Sequence, residues 1–115
     1  MQELKKPIVT VAIPVFNGEK EIADAIQSVL NQTFVDFELI MIDDCSTDQT
    51  LSVARSFSDH RIRIIENEVN LGYIGNFNRA VQEAKGTYLK ILCHDDVIVA
   101  NCIEMQIKPF MGNNR

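Results

Sequence analysis

Apolar residues fall along this chain in short β-branched runs separated by stretches of helical period. Ile8 to Val15 is β-branched and mostly apolar, the pattern of a buried strand, and Asn17 and Gly18 break it. From Glu19 to Gln32 the residues Ile22, Ala25, Ile26, Val29 and Leu30 recur at helical spacing, with acids in the first turn. Phe37 to Ile42 is a second buried run that stops at Asp43-Asp44. Ser46 or Thr47 then offers a cap for a helix running to about Phe57. Ile62 to Ile65 is a short third strand, and Asn67 to Gly72 a polar turn. Ile74, Phe77, Val81 and Ala84 predict a helix from Tyr73, stopped at Gly86. Thr87 to Cys93 is a fourth strand, ending at His94-Asp95-Asp96. Asn101 offers a cap for a last helix, whose clean run Pro109 limits. The order βαβαβαβ(α) predicts an α/β fold, with a mainly parallel sheet and helices on both faces. No repeat, linker or low-complexity stretch divides the chain, so residues 1–115 read as one domain.

Composition narrows the function classes. The 115 residues are 46% hydrophobic and 23% charged, as in a globular protein rather than a disordered tail or a coiled coil. The net charge of −5 argues against nucleic acid as a partner, which would call for a basic face. No stretch approaches the ~18 unbroken apolar residues of a transmembrane helix. The polar stretch Met1 to Pro7 lacks the apolar core of a signal peptide. Cys45, Cys93 and Cys102 are odd in number and form no CxxC pair. They read as reduced thiols, and the expected location is cytoplasmic.

Ligands of open α/β sheets bind at the carboxyl ends of the strands, so the polar residues there carry the candidate chemistry. They are Phe16-Asn17-Gly18-Glu19, Asp43-Asp44, Glu66-Asn67 and His94-Asp95-Asp96. Two carboxylate pairs on one sheet edge repel one another unless donors or a cation neutralise them, and clustered oxygens suit Mg²⁺ or Mn²⁺. The chain has no GxGxxG after the first strand, no GxxxxGK[ST] and no GxSxG elbow. Gly72-Tyr-Ile-Gly75 is only GxxG.

Five segments in order resemble the family 2 glycosyltransferases: Val11 to Asn17 (VAIPVFN), Ser28 to Phe34 (SVLNQTF), Ile42 to Asp48 (IDDCSTD), Asn70-Leu-Gly72 with Asn78, and Lys85 to Tyr88 (KGTY) leading to Leu92-Cys-His-Asp-Asp96. The resemblance covers nearly the whole chain. It implies a GT-A fold, Rossmann-like and layered α/β/α. The implied activity is inverting transfer of a sugar from a nucleotide-diphosphate sugar to a saccharide or lipid-linked acceptor, with Mn²⁺ or Mg²⁺ as cofactor.

The same resemblance implies roles for residues. Pro14, Val15 and Phe16 would lie against the nucleotide, with Phe16 flanking the base unless it is simply core at a strand end. Asp44 would accept a hydrogen bond from a ring N–H of uracil or thymine, so a uridine diphosphate sugar is the expected donor. Its plainer role is a helix cap. Asp43 and Glu19 are candidate nucleotide residues with structural alternatives, a loop brace for Asp43 and a first-turn surface acid for Glu19. Asn70, Gly72 and Asn78 match positions near the nucleotide, although Asn70 and Gly72 also suit a tight turn. Arg79 could offset diphosphate charge or face solvent. Asp95 matches the second acid of the Asp-x-Asp metal motif and would hold the metal, with Asp96 a further candidate.

The motif's first acid is Cys93 here and its middle residue is His94, which leaves ribose contact and metal affinity in question. No general base can be assigned, and relatives of this kind need roughly twice this length. The chain is therefore expected to be the nucleotide-binding half of a larger enzyme, without turnover of its own. That enzyme could be membrane-associated, and apolar surface left uncovered would favour self-association. Two other readings fit an acidic α/β sheet less well. A nucleotidyltransferase would want a basic Gly-rich first loop, and a non-catalytic module such as a receiver would place its acids after other strands.

Overall fold

The computed structural model describes residues 6–111, so most of the polar stretch Met1 to Pro7 lies outside it. Eight elements alternate: β1 (Val9–Val15), α1 (Ile22–Leu30), β2 (Phe37–Asp43), α2 (Thr50–Arg55), β3 (Ile62–Glu66), α3 (Gly72–Glu83), β4 (Tyr88–Ile91) and α4 (Cys102–Met111). The strands form one parallel four-stranded sheet in the order β3-β2-β1-β4. The two central strands are buried along almost their whole length, which is why they carry nearly unbroken apolar runs.

Alternation along the strands divides the core. Val9, Val11, Ile13 and Val15 of β1, with Leu39 and Met41 of β2, pack under α1, α2 and α4. Ala12, Ile40 and Ile42 face the other way and meet Ala80 of α3. The layers are therefore α/β/α, with three helices on one face and one on the other. Register brings the strand ends level, because Asp43 pairs with both Val15 and Glu66.

Helix starts differ from the sequence expectation, for physical reasons. α1 begins at Ile22 rather than Glu19, because Glu21 and Ile22 donate their N–H groups to Gly18 O and close a turn first. α2 begins at Thr50, not after Ser46 or Thr47. Asp48 Oδ1 accepts from Thr50 N at 2.9 Å and from its hydroxyl, and so takes the capping role. The Ser46 hydroxyl instead accepts from Asn17 N at 2.9 Å. α4 takes its cap from Gln32, whose Oε1 accepts from Ile103 N at 2.9 Å, rather than from an Asn101 side chain. Pro109 sits within α4 near its end.

The largest difference concerns α3. Its apolar spacing is real, but it is not the face the helix buries. Asn76 and Ala80 are buried, whereas Tyr73 is 79% and Ile74 73% exposed, with Phe77 and Val81 also open. Polar bonds hold the inner side instead. Arg63 of β3 donates to Glu83 Oε1 at 2.9 Å and pairs with Glu38 at 3.5 Å, and Arg79 Nε donates to Glu83 Oε2 at 3.2 Å. The Arg63 and then the Arg79 guanidinium hold the Glu83 carboxyl below its ordinary range.

Candidate nucleotide site

A cleft of about 360 Å³ opens at the carboxyl ends of β1, β2 and β4. It is lined by Pro14, Val15 and Phe16 from β1 and the residue after it, Asp44 after β2, Asn70 and Gly72 before and at the start of α3, and Cys93, His94 and Asp95 after β4. Seven expected residues thus meet in one place: Pro14, Val15, Phe16, Asp44, Asn70, Gly72 and Asp95. Glu19, Asp43 and Asn78 lie outside the lining, and Asp96 stands next to it.

Asp44 anchors the cleft. It is 2% exposed. Its Oδ1 accepts from Leu71 N at 2.7 Å and Asn67 Nδ2 at 2.9 Å, and its Oδ2 accepts from Gly72 N at 3.0 Å. Leu71 N and Gly72 N are free N–H groups at the start of α3, so a carboxylate from the end of β2 caps a helix elsewhere in the chain. Gly72 has φ of 81°, the left-handed region that a β-carbon disfavours, and this turn aims its N–H at Asp44. Asn70 closes the turn, donating to Asp44 O at 3.1 Å while its Oδ1 accepts from Gly72 N at 3.0 Å. The capping role expected of Asp44 is thus present, for α3 rather than the helix after Ser46.

Behind Asp44 lies a chain of buried amides. Asn67 Nδ2 also donates to Asn76 Oδ1 at 2.7 Å, Asn76 Nδ2 donates to Ile42 O at 3.0 Å, and Arg79 Nη1 donates to Asn67 Oδ1 at 3.1 Å. Arg79 therefore braces Asn67 and is not free solvent-facing charge. Asn76 and Tyr73 line the cleft, and sequence reasoning did not single them out as site residues. Asn76 lies off the apolar spacing that predicts α3, so the sequence carries no signal of its burial.

The β1–α1 loop is laced to the loop after β2. Asp43 is 1% exposed; its Oδ2 accepts from Ser46 N at 3.1 Å, and its Oδ1 has no partner among the described residues. Asn17, at φ 53°, accepts from Thr47 N at 2.8 Å, and Gly18 N donates to the Thr50 hydroxyl at 2.9 Å. Glu19 Oε1 accepts from Gln49 N at 3.1 Å, so its carboxylate faces the start of α2. Burial pushes the Asp48 carboxyl up. Hydrogen bonds from the Thr50 hydroxyl and N–H and from Glu19 N outweigh it, and the net shift is downward. These bonds hold Phe16, 46% exposed, at the cleft rim. A β-carbon on Gly18 would lie 2.6 Å from the His94 ring, so the bare glycine lets that ring close over the loop.

The fourth strand end supplies metal-type donors. The Cys93 sulfur and carboxylate oxygens of Asp95 and Asp96 lie within 4.8 Å of one another, all exposed. The set is compact, and two of its donors are hard oxygens, so it fits a divalent cation.

The Glycosyl transferase family 2 profile matches residues 10–115. The chain belongs to that family. WfgD of Escherichia coli, named as a UDP-Glc:alpha-D-GlcNAc-diphosphoundecaprenol beta-1,3-glucosyltransferase, is 39% identical over 107 residues, spanning 93% of this chain and 42% of WfgD. S. aureus TarS residues 1–349, solved with UDP, superposes with a TM-score of 0.80 at 30% identity, over 85% of this chain and 30% of that one. The mannosyltransferase PcManGT from Pyrobaculum calidifontis, solved with GDP-Man and Mn²⁺, gives 0.73 at 25% identity, over 81% of this chain and 29% of its own. The chain thus has the GT-A, Rossmann-like α/β fold of its family and spans about two-fifths of WfgD.

Proposed function

We propose that this chain is the donor-binding half of an inverting, metal-assisted glycosyltransferase. It takes a sugar from a nucleoside-diphosphate sugar, the uridine form above others, and passes it to a saccharide or lipid-linked acceptor. The observation that carries this reading is the buried Asp44 carboxylate bordering the cleft. Its Oδ2 accepts one hydrogen bond from the protein and keeps acceptor capacity for a ring N–H of uracil. The UDP bound to TarS supports the same donor class.

In this reading Phe16 flanks the base at the rim, with Pro14 and Val15 beside it, and Asn70 and Gly72 form the wall towards the ribose. Asp43 and Glu19 serve the nucleotide indirectly, by bracing loops, whereas Asn78 is exposed on α3 away from the cleft. Asp95, with Asp96, would hold the cation, which when bound neutralises the leaving diphosphate. The acceptor oxygen forms its bond to the anomeric carbon as the bond from that carbon to the diphosphate oxygen breaks, and the electron pair leaves with the diphosphate. The acceptor proton passes to a carboxylate outside these 115 residues, so the chain alone is a single binding unit without turnover. WfgD, of which the chain spans 42%, is named for a lipid-linked acceptor, and this supports work against a membrane surface. No helix of the described residues is long and apolar enough to cross one.

Base recognition tests the reading. Cytosine lacks the ring N–H, so UDP should bind about tenfold or more tightly than CDP, the worth of one hydrogen bond to a charged group. Asp44→Asn should remove that preference. Equal binding of UDP and CDP by the unaltered protein would contradict the assignment.

A further inference from the structure

We propose that Cys93 is a ligand of the metal in this cleft, and that the site therefore prefers a sulfur-tolerant ion of the Zn²⁺ and Co²⁺ type over Mg²⁺. Three observations carry the proposal. Cys93 borders the cleft two residues past Ile91, the last residue of β4, which borders it too. Its sulfur lies within 4.8 Å of both the Asp95 and the Asp96 oxygens. The turn that sets this spacing is closed by Asp96 N donating to Cys93 O at 3.0 Å. Among the described residues, none of the three side chains enters a hydrogen bond or ion pair, so all three donors are available. The other thiols are placed differently: the Cys45 sulfur faces Glu68 O at 3.9 Å, and Cys102 is half-buried in α4.

Ligand chemistry does the rest. Mg²⁺ takes oxygen ligands in near-ideal octahedra and gains little from sulfur. A thiolate with two carboxylates suits Co²⁺ and Zn²⁺, with Mn²⁺ weaker in the usual order of affinities. The thiol proton passes to solvent as the sulfur binds. The proposal rests on reading the cleft as a metal-assisted site, but its test contains no nucleotide, so its failure and a failure of UDP binding are separable.

The test is a Co²⁺ titration of the reduced, metal-stripped protein, followed by near-ultraviolet absorption. The expected result is a sulfur-to-cobalt charge-transfer band saturating at one ion per chain, removed by Zn²⁺ and not by an equal concentration of Mg²⁺. Cys93→Ser should abolish the band, and Cys45→Ser should leave it. The Ser variant should also bind Co²⁺ at least roughly tenfold more weakly, the lower end of what losing even an outer-shell partner costs. Cys93→Asp, which restores an all-oxygen set, should gain Mg²⁺ binding. Co²⁺ binding without the band, a band that survives Cys93→Ser, or displacement by Mg²⁺ as readily as by Zn²⁺ would each overturn the proposal.

Discussion

Asp44 commits three of its roughly four lone-pair sites to Leu71 N, Gly72 N and Asn67, and caps α3 as it borders the cleft. Removing the carboxylate leaves Leu71 N and one Asn67 amide proton without an acceptor, and leaves Gly72 N to Asn70 Oδ1 alone. Asp44→Ala should therefore lower folding stability by about 1–3 kcal/mol or more, read as a lower urea midpoint. Asp44→Asn sets an amide N–H against one of the same donors and should recover only part of the loss. An Ala variant as stable as the parent would mean that α3 does not depend on this cap. Sequence reasoning reached Asp44 because a charged pair ending a β-branched run is conspicuous. It did not reach Asn67 or Asn76 as the amides that orient it, because an Asn in a polar turn or on a helix gives no sign of being buried.

At the scale of elements, the corner between α2 and β3 carries the clearest pH dependence. Arg61 donates to Asp59 through Nε at 3.1 Å, Nη2 at 3.0 Å and its own N–H at 2.9 Å, and its guanidinium stacks 4.3 Å from the Phe37 ring centroid. The side-chain hydrogen bonds from Arg61 hold the Asp59 carboxyl down at about 2. A depressed carboxyl stabilises the fold fully above its unfolded value near 4 and loses that contribution as pH falls towards 2. At this surface corner, screening limits it to on the order of 1 kcal/mol. Asp59→Asn should lower the urea midpoint at pH 6 and leave it close to the parent's at pH 2; an equal deficit at both would contradict the ion pair. The strands were legible because near-continuous Val and Ile runs mean burial on both faces. Helix starts were less so. α1 is delayed by a turn on Gly18, and α4 is capped by Gln32 from 71 residues earlier, a contact that only tertiary packing creates.

At the scale of the whole molecule, among the described residues one sheet face carries three helices and the other only α3, with Ile74, Phe77 and Val81 of α3 and Leu89 of the edge strand β4 all open. The apolar spacing that predicts α3 marks an open face among the described residues, which local periodicity cannot distinguish from a buried one. This chain, spanning 42% of WfgD, should self-associate through that face. Sedimentation should show mass rising with concentration, and Ile74→Glu with Phe77→Glu should return it to a monomer; a monomeric parent at all concentrations would contradict this. The central claim is that the carboxyl ends of β1, β2 and β4 form one nucleotide-diphosphate site with its metal at Asp95. The most direct measurement is calorimetric titration of UDP into the chain with and without Mn²⁺, repeated with Asp95→Ala. The account predicts binding that Mn²⁺ strengthens and a Mn²⁺ effect that disappears in the variant. Unchanged Mn²⁺-dependent binding in Asp95→Ala, or no UDP binding with Mn²⁺ present, would contradict it.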